Sequence, residues 1–303
     1  MSAVPRCVIT FLLLLLTWPA LAGQVSHHQF PSATLGRDYP YTLYLPDGYH
    51  DAGLDYPVIY LLHGSFGSDR DWVGRGALKR IADRMIRQGR IPPAVIVMPG
   101  SRSWWVDGHN EQARSAFFEE LLPHVEGLWR VVPKREWRGI AGLSAGGFGT
   151  VNFMLERPEL FAAAAALSPA SYYPLPPADS TARRHPAFLT ADNRFDADLW
   201  RRLNYPAHLE HYLAQERVVP LYLSAGSRDA YDAVTHARRL QAALQPHQPG
   251  EVRLEVFPGG HTWRVWRASL EPALAFMFRY LKPPLPAEVA AAEDPVQASR
   301  ATR

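Results

Sequence analysis

Short apolar runs alternate along the chain with amphipathic segments. Six runs predict strands, at 57–62, 94–98, 138–141, 161–167, 218–224 and 252–257. The runs 57–62 and 94–98 have the continuous apolar composition of strands buried on both faces. The segments between them predict helices at 77–88, 111–129, 147–155, 233–244 and 263–281. Strands that alternate with helices predict an α/β fold, with a mostly parallel central sheet and helices on both of its faces. In such sheets, functional residues gather at the carboxyl ends of the strands.

Three predicted elements are less regular than the rest. Residues 41–45 form a further predicted strand, which ends at a Pro-Asp-Gly turn. Pro123 is expected to interrupt the helix 111–129, since proline cannot continue the hydrogen-bond ladder. The run 161–167 is rich in alanine, so a helix is the alternative to a strand there.

Two segments lose the periodic pattern. Residues 170–206 contain several prolines, which predicts an irregular insertion over the active-site end of the sheet. Residues 283–303 consist of proline, alanine and charge, and they predict a disordered tail. The length between the leader and this tail suits one domain, residues 23–282.

The first 22 residues have the pattern of a cleaved secretory signal. Arg6 provides the positive start, residues 8–16 form the apolar core, and residues 20–22 form a small-x-small cleavage site before Gly23. The apolar core is shorter than the roughly 20 residues that a spanning helix needs, so a retained anchor is the minor alternative. We therefore expect a periplasmic or secreted protein without a stable membrane anchor after cleavage. The one cysteine, Cys7, lies in the signal, so the mature chain can form no disulfide.

Charge does not indicate a nucleic-acid partner. The formal net charge is +3, and removal of Arg6 with the signal leaves +2. The arginines are scattered along predicted helices and do not form a basic block. The sequence does not determine the oligomeric state.

The strongest motif is Gly-Leu-Ser-Ala-Gly at 142–146, between the strand 138–141 and the helix 147–155. Gly-x-Ser-x-Gly at a strand-to-helix turn is the nucleophile elbow of α/β-hydrolases. The turn is so sharp that side chains at the flanking positions would collide, and it projects the Ser144 hydroxyl above the sheet. The alternative is that these glycines only allow a helix to pack closely on the sheet.

A serine nucleophile needs a histidine base and a carboxylate that orients the base. In α/β-hydrolases the acid and the histidine follow the serine along the chain, each after a late strand. The strand 218–224 leads to Asp229, and the last strand leads to His261 in a glycine-rich loop. The alternatives are a polar loop residue for His261 and a helix N-cap for Asp229, although Asp232 is better placed to cap the helix 233–244.

The reaction also needs two backbone N–H groups that stabilise the developing negative charge. One is expected from Ala145, the residue after the nucleophile. The other is expected from Ser65, in the loop after His63-Gly64. His63 precedes the nucleophile in the chain, so we interpret it as a structural residue.

Four motifs together resemble the esterase D-like family of α/β-hydrolases: His63-Gly64 and the segments 142–147, 226–229 and 259–263. That family includes S-formylglutathione hydrolases, feruloyl and acetyl-xylan esterases, enterochelin esterases and mycolyltransferases of the antigen 85 type. The resemblance extends from about Tyr41 to Leu281, and residues 101–107 are similar to a family stretch beside the active site. It implies that Ser144, Asp229 and His261 are the triad and that no metal or organic cofactor is needed.

Aromatic residues are the candidates for substrate contacts. Neighbouring residues on a strand face opposite ways, so Trp104 is expected in the cleft and Trp105 in the core. Tyr172 is expected at the edge of the acyl pocket. Trp263 and Trp266 are at helical spacing and are expected to pack behind His261.

These observations favour an exported serine carboxylic-ester hydrolase that works through an acyl-enzyme. Its partner would be a small-molecule or glycan-linked ester. The resemblance does not choose the substrate, because members of the resembled family differ most in the inserted segment, here 170–206. An acyltransferase with the same triad is the alternative among enzymes. An inactive hydrolase fold that serves as a binding module is the alternative from another class, although binding would not require all three triad residues.

Overall fold

The computed structural model describes residues 22–292, so almost all of the predicted signal and the last part of the predicted tail lie outside the described residues. In chain order the strands are β1 (Gln24–Ser32), β2 (Arg37–Leu45), β3 (Leu54–Asp55), β4 (Val58–Leu62), β5 (Val95–Pro99), β6 (Arg138–Leu143), β7 (Ala163–Leu167), β8 (Leu221–Gly226), β9 (Val252–Phe257) and β10 (Leu285–Pro286). Eight of them form one sheet in the order β1-β2-β5-β4-β6-β7-β8-β9. The neighbouring strands from β5 to β9 are parallel, whereas β2 pairs antiparallel with both β1 and β5. This confirms the α/β fold with a mostly parallel sheet.

Helices cover both faces of the sheet. They are α1 (Asp71–Gly74), α2 (Leu78–Arg87), α3 (Ala113–Ala116), α4 (Leu122–Leu128), α5 (Ala145–Glu156), α6 (Ala197–Leu203), α7 (Pro206–Leu213), α8 (Ala233–Leu244), α9 (Trp263–Met277) and α10 (Ala287–Ala292). Alternate residues of β4 belong to two separate cores: Tyr60 packs with residues of α5 and α8, whereas Ile59 packs with residues of α2 and α9. Across residues 22–292, no helix combines the length and the hydropathy that crossing a bilayer requires.

The structure settles the less regular predictions. The alanine-rich run forms the buried strand β7, because its small side chains fit between the helices on either face. Pro123 does not break its helix. A π-helical segment at Phe117–Leu121 joins α3 to α4, and Pro123 falls in the first turn of α4, where proline's missing N–H costs little. The strand β1, which the sequence analysis missed, pairs with β2 along its whole length.

The predicted insertion 170–206 is irregular only in part. Short 3₁₀ turns at Thr181–Arg184 and Pro186–Phe188 precede α6, which is a regular helix. The buried Trp200 of this segment is the centre of an apolar cluster shared with Trp104 and with Phe148 of α5. The insertion is therefore a packed layer over one end of the sheet.

The predicted disordered tail is wrong for residues 283–292. β10 pairs antiparallel with β3, and the Trp137 indole N–H donates to the Pro283 carbonyl at 2.9 Å. Ala287 N–H donates to the Gly53 carbonyl at 3.1 Å, and Ala290 is buried. The contacts are non-local, so the proline- and alanine-rich composition alone did not indicate them.

Candidate active site

The turn between β6 and α5 has the strain that the Gly-x-Ser-x-Gly motif predicts. Ser144 has φ of +53° and ψ of −115°, a conformation that L-residues rarely adopt. A Cβ on Gly142 would lie 2.4 Å from the Gly146 carbonyl carbon, and a Cβ on Gly146 would lie 2.4 Å from the Leu62 carbonyl oxygen. Both glycines are therefore required by close backbone approach.

Ser144, His261 and Asp229 form a continuous hydrogen-bonded chain. His261 Nε2 lies 2.8 Å from Ser144 Oγ, and His261 Nδ1 lies 2.8 Å from Asp229 Oδ2. The Asp229 side chain is 1% exposed and that of His261 is 13% exposed. A carboxylate only accepts, so Nδ1 carries the proton and Nε2 is free to accept from the serine hydroxyl. This arrangement can remove a proton from Ser144.

Sheet topology explains how residues far apart in sequence meet. Asp229 follows β8 and His261 follows β9, and these two strands are parallel neighbours. Asp229 is further held by the Tyr231 backbone N–H, which donates to Oδ1 at 3.0 Å. All three loops therefore lie at the carboxyl edge of the sheet, as predicted.

The expectation that Asp232 caps α8 is wrong. Asp232 occupies the N-cap position with φ of +53° and ψ of +38°, and its side chain makes no capping hydrogen bond. A capping residue needs extended backbone angles to reach the first-turn N–H groups, and the left-handed conformation points the carboxylate elsewhere.

The two predicted oxyanion donors belong to segments that adjoin Ser144. Ala145 begins α5, so its N–H is at the positive end of that helix. A Cβ on Gly64 would be 3.5 Å from Ser144 Cβ, which places the loop that contains Ser65 against the serine. Among residues 22–292, neither the Ser65 nor the Ala145 backbone N–H has a hydrogen-bond acceptor. Both are therefore available to a negatively charged oxygen.

His63 has the structural role expected for it. Its Nδ1 lies 2.7 Å from the Gly64 carbonyl oxygen, and the Ser101 N–H donates to its Nε2 at 2.9 Å. Burial lowers the pKa of His63, which favours the neutral ring that this pattern of one donor and one acceptor requires. His63 thus fixes the backbone just before Ser65.

Ser144 opens into a cavity of about 210 Å³. Tyr172 lines it, as predicted, together with Ser65, Asp71, Arg75, Thr181 and Tyr231. Trp263 and Trp266 line it too, and the Trp266 ring meets His261 edge-to-face at 5.1 Å between centroids. The sequence analysis missed Asp71, Arg75, Thr181 and Tyr231. Only Tyr231, two residues after Asp229, had a positional signal.

Trp104 does not line this cavity, so its predicted contact with substrate is wrong. Its side chain is 1% exposed and its ring packs on Phe148, Phe188 and Trp200. The prediction assumed strand alternation, but Trp105 has φ of +62°, and this turn buries both indoles.

A larger cavity of about 540 Å³ lies beyond Phe66 and contains none of the three hydrogen-bonded residues. Its lining includes Arg37, Arg102 and Glu111, and Arg37 and Glu111 are paired with each other. Among residues 22–292, no three His, Cys, Asp or Glu side chains are grouped as metal ligands.

A mostly parallel sheet with a strained serine after a central strand, and a histidine after the last strand, defines an α/β-hydrolase. Residues 32–277 match the model of the esterase family described as "Putative esterase". The chain belongs to this esterase family.

Three known proteins are similar to the chain. The chain is 30% identical over 162 residues to an endo-1,4-beta-xylanase/feruloyl esterase of Xylanibacter ruminicola, a match that covers 50% of this chain and 22% of that protein. It is 26% identical over 281 residues to an esterase of Mycobacterium tuberculosis, with 82% of this chain and 58% of that protein covered. A solved ferulic acid esterase structure superposes with a TM-score of 0.74 at 24% identity, over 86% of this chain and 100% of that one, and supports the fold.

Proposed function

We propose that this chain is an exported serine carboxylic-ester hydrolase. The observation that carries the proposal is the chain of two 2.8 Å contacts from Ser144 through His261 to Asp229. Such a chain is the arrangement that makes a serine hydroxyl nucleophilic. The esterase family of the chain supports the same chemistry.

Each step of ester cleavage has a group in place. His261 Nε2 accepts the Ser144 proton as Oγ attacks the acyl carbon, and Asp229 stabilises the imidazolium that forms. The Ser65 and Ala145 N–H groups meet the oxyanion of the tetrahedral intermediate. His261 then protonates the leaving alcohol. Water, activated by His261, releases the acid from the acyl-enzyme and regenerates Ser144.

The cavity suggests the kind of ester to test first. Four aromatic side chains line the space beside Ser144, those of Tyr172, Tyr231, Trp263 and Trp266. Flat aromatic groups pack well on such walls. One relative's name includes feruloyl esterase, so esters of hydroxycinnamic acids belong in the first panel beside short acyl esters.

Export is part of the proposal, and the environment of Gly23 is compatible with it. Gly23 is buried, and its backbone nitrogen donates to Asp83 Oδ1 at 2.9 Å. Cleavage after Ala22 would place a new ammonium group on a carboxylate that is 8% exposed. N-terminal sequencing of the exported protein should give Gly23 as the first residue. An intact Met1 on the exported protein would contradict the cleavage.

The direct test is turnover of p-nitrophenyl acetate and methyl ferulate. Ser144→Ala should abolish turnover while the thermal melt stays cooperative. Ser171→Ala is the matched control, because the Ser171 hydroxyl is buried and has no hydrogen-bond partner among the described residues. Wild-type turnover by Ser144→Ala would contradict the mechanism. Capture of most of the acyl group by millimolar glycerol would favour an acyltransferase.

A further inference from the structure

A short segment with two tryptophans is fastened to the loop that supplies the Ser65 donor. We call residues 101–105 the tryptophan segment and residues 63–67 the oxyanion loop. Three hydrogen bonds join them. Ser101 N–H donates to His63 Nε2 at 2.9 Å, the Trp105 indole donates to the His63 carbonyl at 3.1 Å, and the Trp104 indole donates to Ser65 Oγ at 2.9 Å.

The same two indoles lie against the elbow helix α5. The Trp104 ring meets the Phe148 ring at 5.8 Å between centroids, and a Cβ on Gly149 would lie 2.6 Å from Trp105 Cβ. Phe148 and Gly149 are four and five residues after Ser144 in the same turn and helix. The tryptophan segment therefore bridges the element that starts at Ala145 and the loop that contains Ser65.

The backbone of the oxyanion loop is strained and partly exposed, so contacts that hold it in place matter for the position of Ser65. Phe66, the residue after Ser65, is 63% exposed and has φ of +54°, a strained backbone that exposes a large apolar ring. Ser65 itself is only partly buried. Its hydroxyl accepts a hydrogen bond from the buried Trp104 indole, and the neighbouring Phe66 ring contacts His185 at 4.8 Å between centroids.

We propose that Trp104 is a positioning residue, which holds Ser65 so that its N–H and that of Ala145 converge on one oxygen. The proposal rests on the esterase mechanism given above. Trp104 is buried and does not line the cavity beside Ser144. It acts through the indole N–H, and its ring also links the oxyanion loop to Phe188 and Trp200 of the insertion.

The test is Trp104→Phe, which keeps an aromatic ring and removes the indole donor. Misplacement of one oxyanion donor should lower kcat by about 10- to 100-fold and leave KM within about twofold. The affinity for a boronic acid that forms a tetrahedral adduct on Ser144 should fall in parallel, because only the tetrahedral state uses the donors.

Trp200→Phe is the matched control. Trp200 is a buried neighbour whose ring centroid lies 6.0 Å from that of Trp104, and its indole N–H has no partner among the described residues. Its replacement disturbs the same aromatic cluster without removing a hydrogen bond, so kcat should stay within about twofold. An equal loss in Trp200→Phe would assign the effect to packing and overturn the proposal.

Ser65→Ala removes the acceptor from a partly buried loop position and tests the same bond if Trp104→Phe does not fold. It should match the Trp104→Phe loss, and the double variant should lose no more than either single one, since both remove one interaction. Unchanged kcat in either folded single variant, or additive losses in the double variant, would overturn the proposal. Complete fluorophosphonate labelling of Ser144 in every variant separates these outcomes from a failure of the proposed esterase function, in which the wild type would not be labelled.

Discussion

Ser144 occupies a backbone conformation that costs a non-glycine residue on the order of 1–3 kcal/mol. Gly142 and Gly146 flank it, and both pack so closely that a side chain at either position would collide with backbone atoms. The strain holds the hydroxyl within hydrogen-bond distance of His261. In the proposed mechanism, this unfavourable backbone conformation presents the Ser144 hydroxyl for attack on the ester.

Asp229 and Asp232 provide a prediction at the residue scale. Asp229→Asn should lower kcat by about 10⁴-fold, the loss seen when the orienting carboxylate of a serine protease is replaced and the imidazole takes the wrong tautomer. Asp232→Asn should leave kcat unchanged and alter the free energy of unfolding by less than about 0.5 kcal/mol, because its carboxylate makes no cap and asparagine tolerates the left-handed backbone.

Ester turnover and thermal melts of the two variants check this prediction. The melting temperature of Asp232→Asn is the control for helix stability. A large loss of kcat in Asp232→Asn with normal turnover in Asp229→Asn would move the orienting role to Asp232.

The sequence predicted the local backbone geometry where the spacing of glycines requires it. The spacing of Gly142, Ser144 and Gly146 allows few structures other than the observed turn. It failed for Trp104 and Asp232, which both depend on a left-handed backbone conformation at Trp105 or at Asp232 itself. Neither position is a glycine, so the sequence did not indicate a left-handed backbone conformation there.

At the scale of elements, the insertion contributes a histidine that should make stability depend on pH. His185 is buried, and the Ala187 N–H donates to its Nδ1 at 3.2 Å. Burial, with a smaller contribution from His63, lowers the pKa of His185 to about 4. The unfolded chain therefore binds a proton near pH 6.5 that the folded chain does not bind until about pH 4.

The free energy of unfolding should consequently fall as the pH drops from 6.5 toward 4. Above pH 6.5, His185 is neutral in both the folded and the unfolded chain, and this loss of stability should be absent. The slope from this one group is about 1.4 kcal/mol per pH unit. Urea unfolding at several pH values should show a weaker pH dependence for His185→Gln than for the wild type. His50→Gln, at an exposed position, is the control. Identical slopes for His185→Gln and the wild type would contradict a buried neutral His185.

The C-terminal segment 283–292 is the second element with a testable role. A chain that ends at residue 282 loses β10, α10 and the carbonyl that accepts from Trp137. An unpaired buried N–H costs about 1–3 kcal/mol, so this chain should melt several degrees below a chain that ends at residue 292. Both should keep kcat. Equal melting temperatures would show that residues 283–292 add nothing to stability.

The sequence predicted elements well where burial on two faces leaves a continuous apolar run, as in β4 and β5. Elements at the edges were harder. β1 lies at the edge of the sheet and alternates exposed and partly buried residues, and β10 is two residues long and pairs with a segment more than 200 positions away. Only tertiary contacts define these strands.

At the scale of the whole molecule, the order of the parallel strands brings the site together. The strands β4, β6, β8 and β9 end at one edge of the sheet, and they are followed by Ser65, Ser144, Asp229 and His261 in turn. Ser144 and His261 are 117 residues apart in sequence and share a hydrogen bond. The parallel alternation of strands and helices predicted this convergence, because carboxyl ends of parallel strands always share an edge.

Ser144 is the nucleophile in the proposed mechanism of ester cleavage. The most direct measurement is intact mass and peptide mapping after incubation with a fluorophosphonate, which phosphonylates an activated serine. We predict one adduct per chain, on the peptide that contains Ser144, and none in Ser144→Ala. His261→Gln should slow labelling strongly, since the base that activates the serine is lost. Labelling of another residue, or undiminished labelling of Ser144→Ala, would contradict the account.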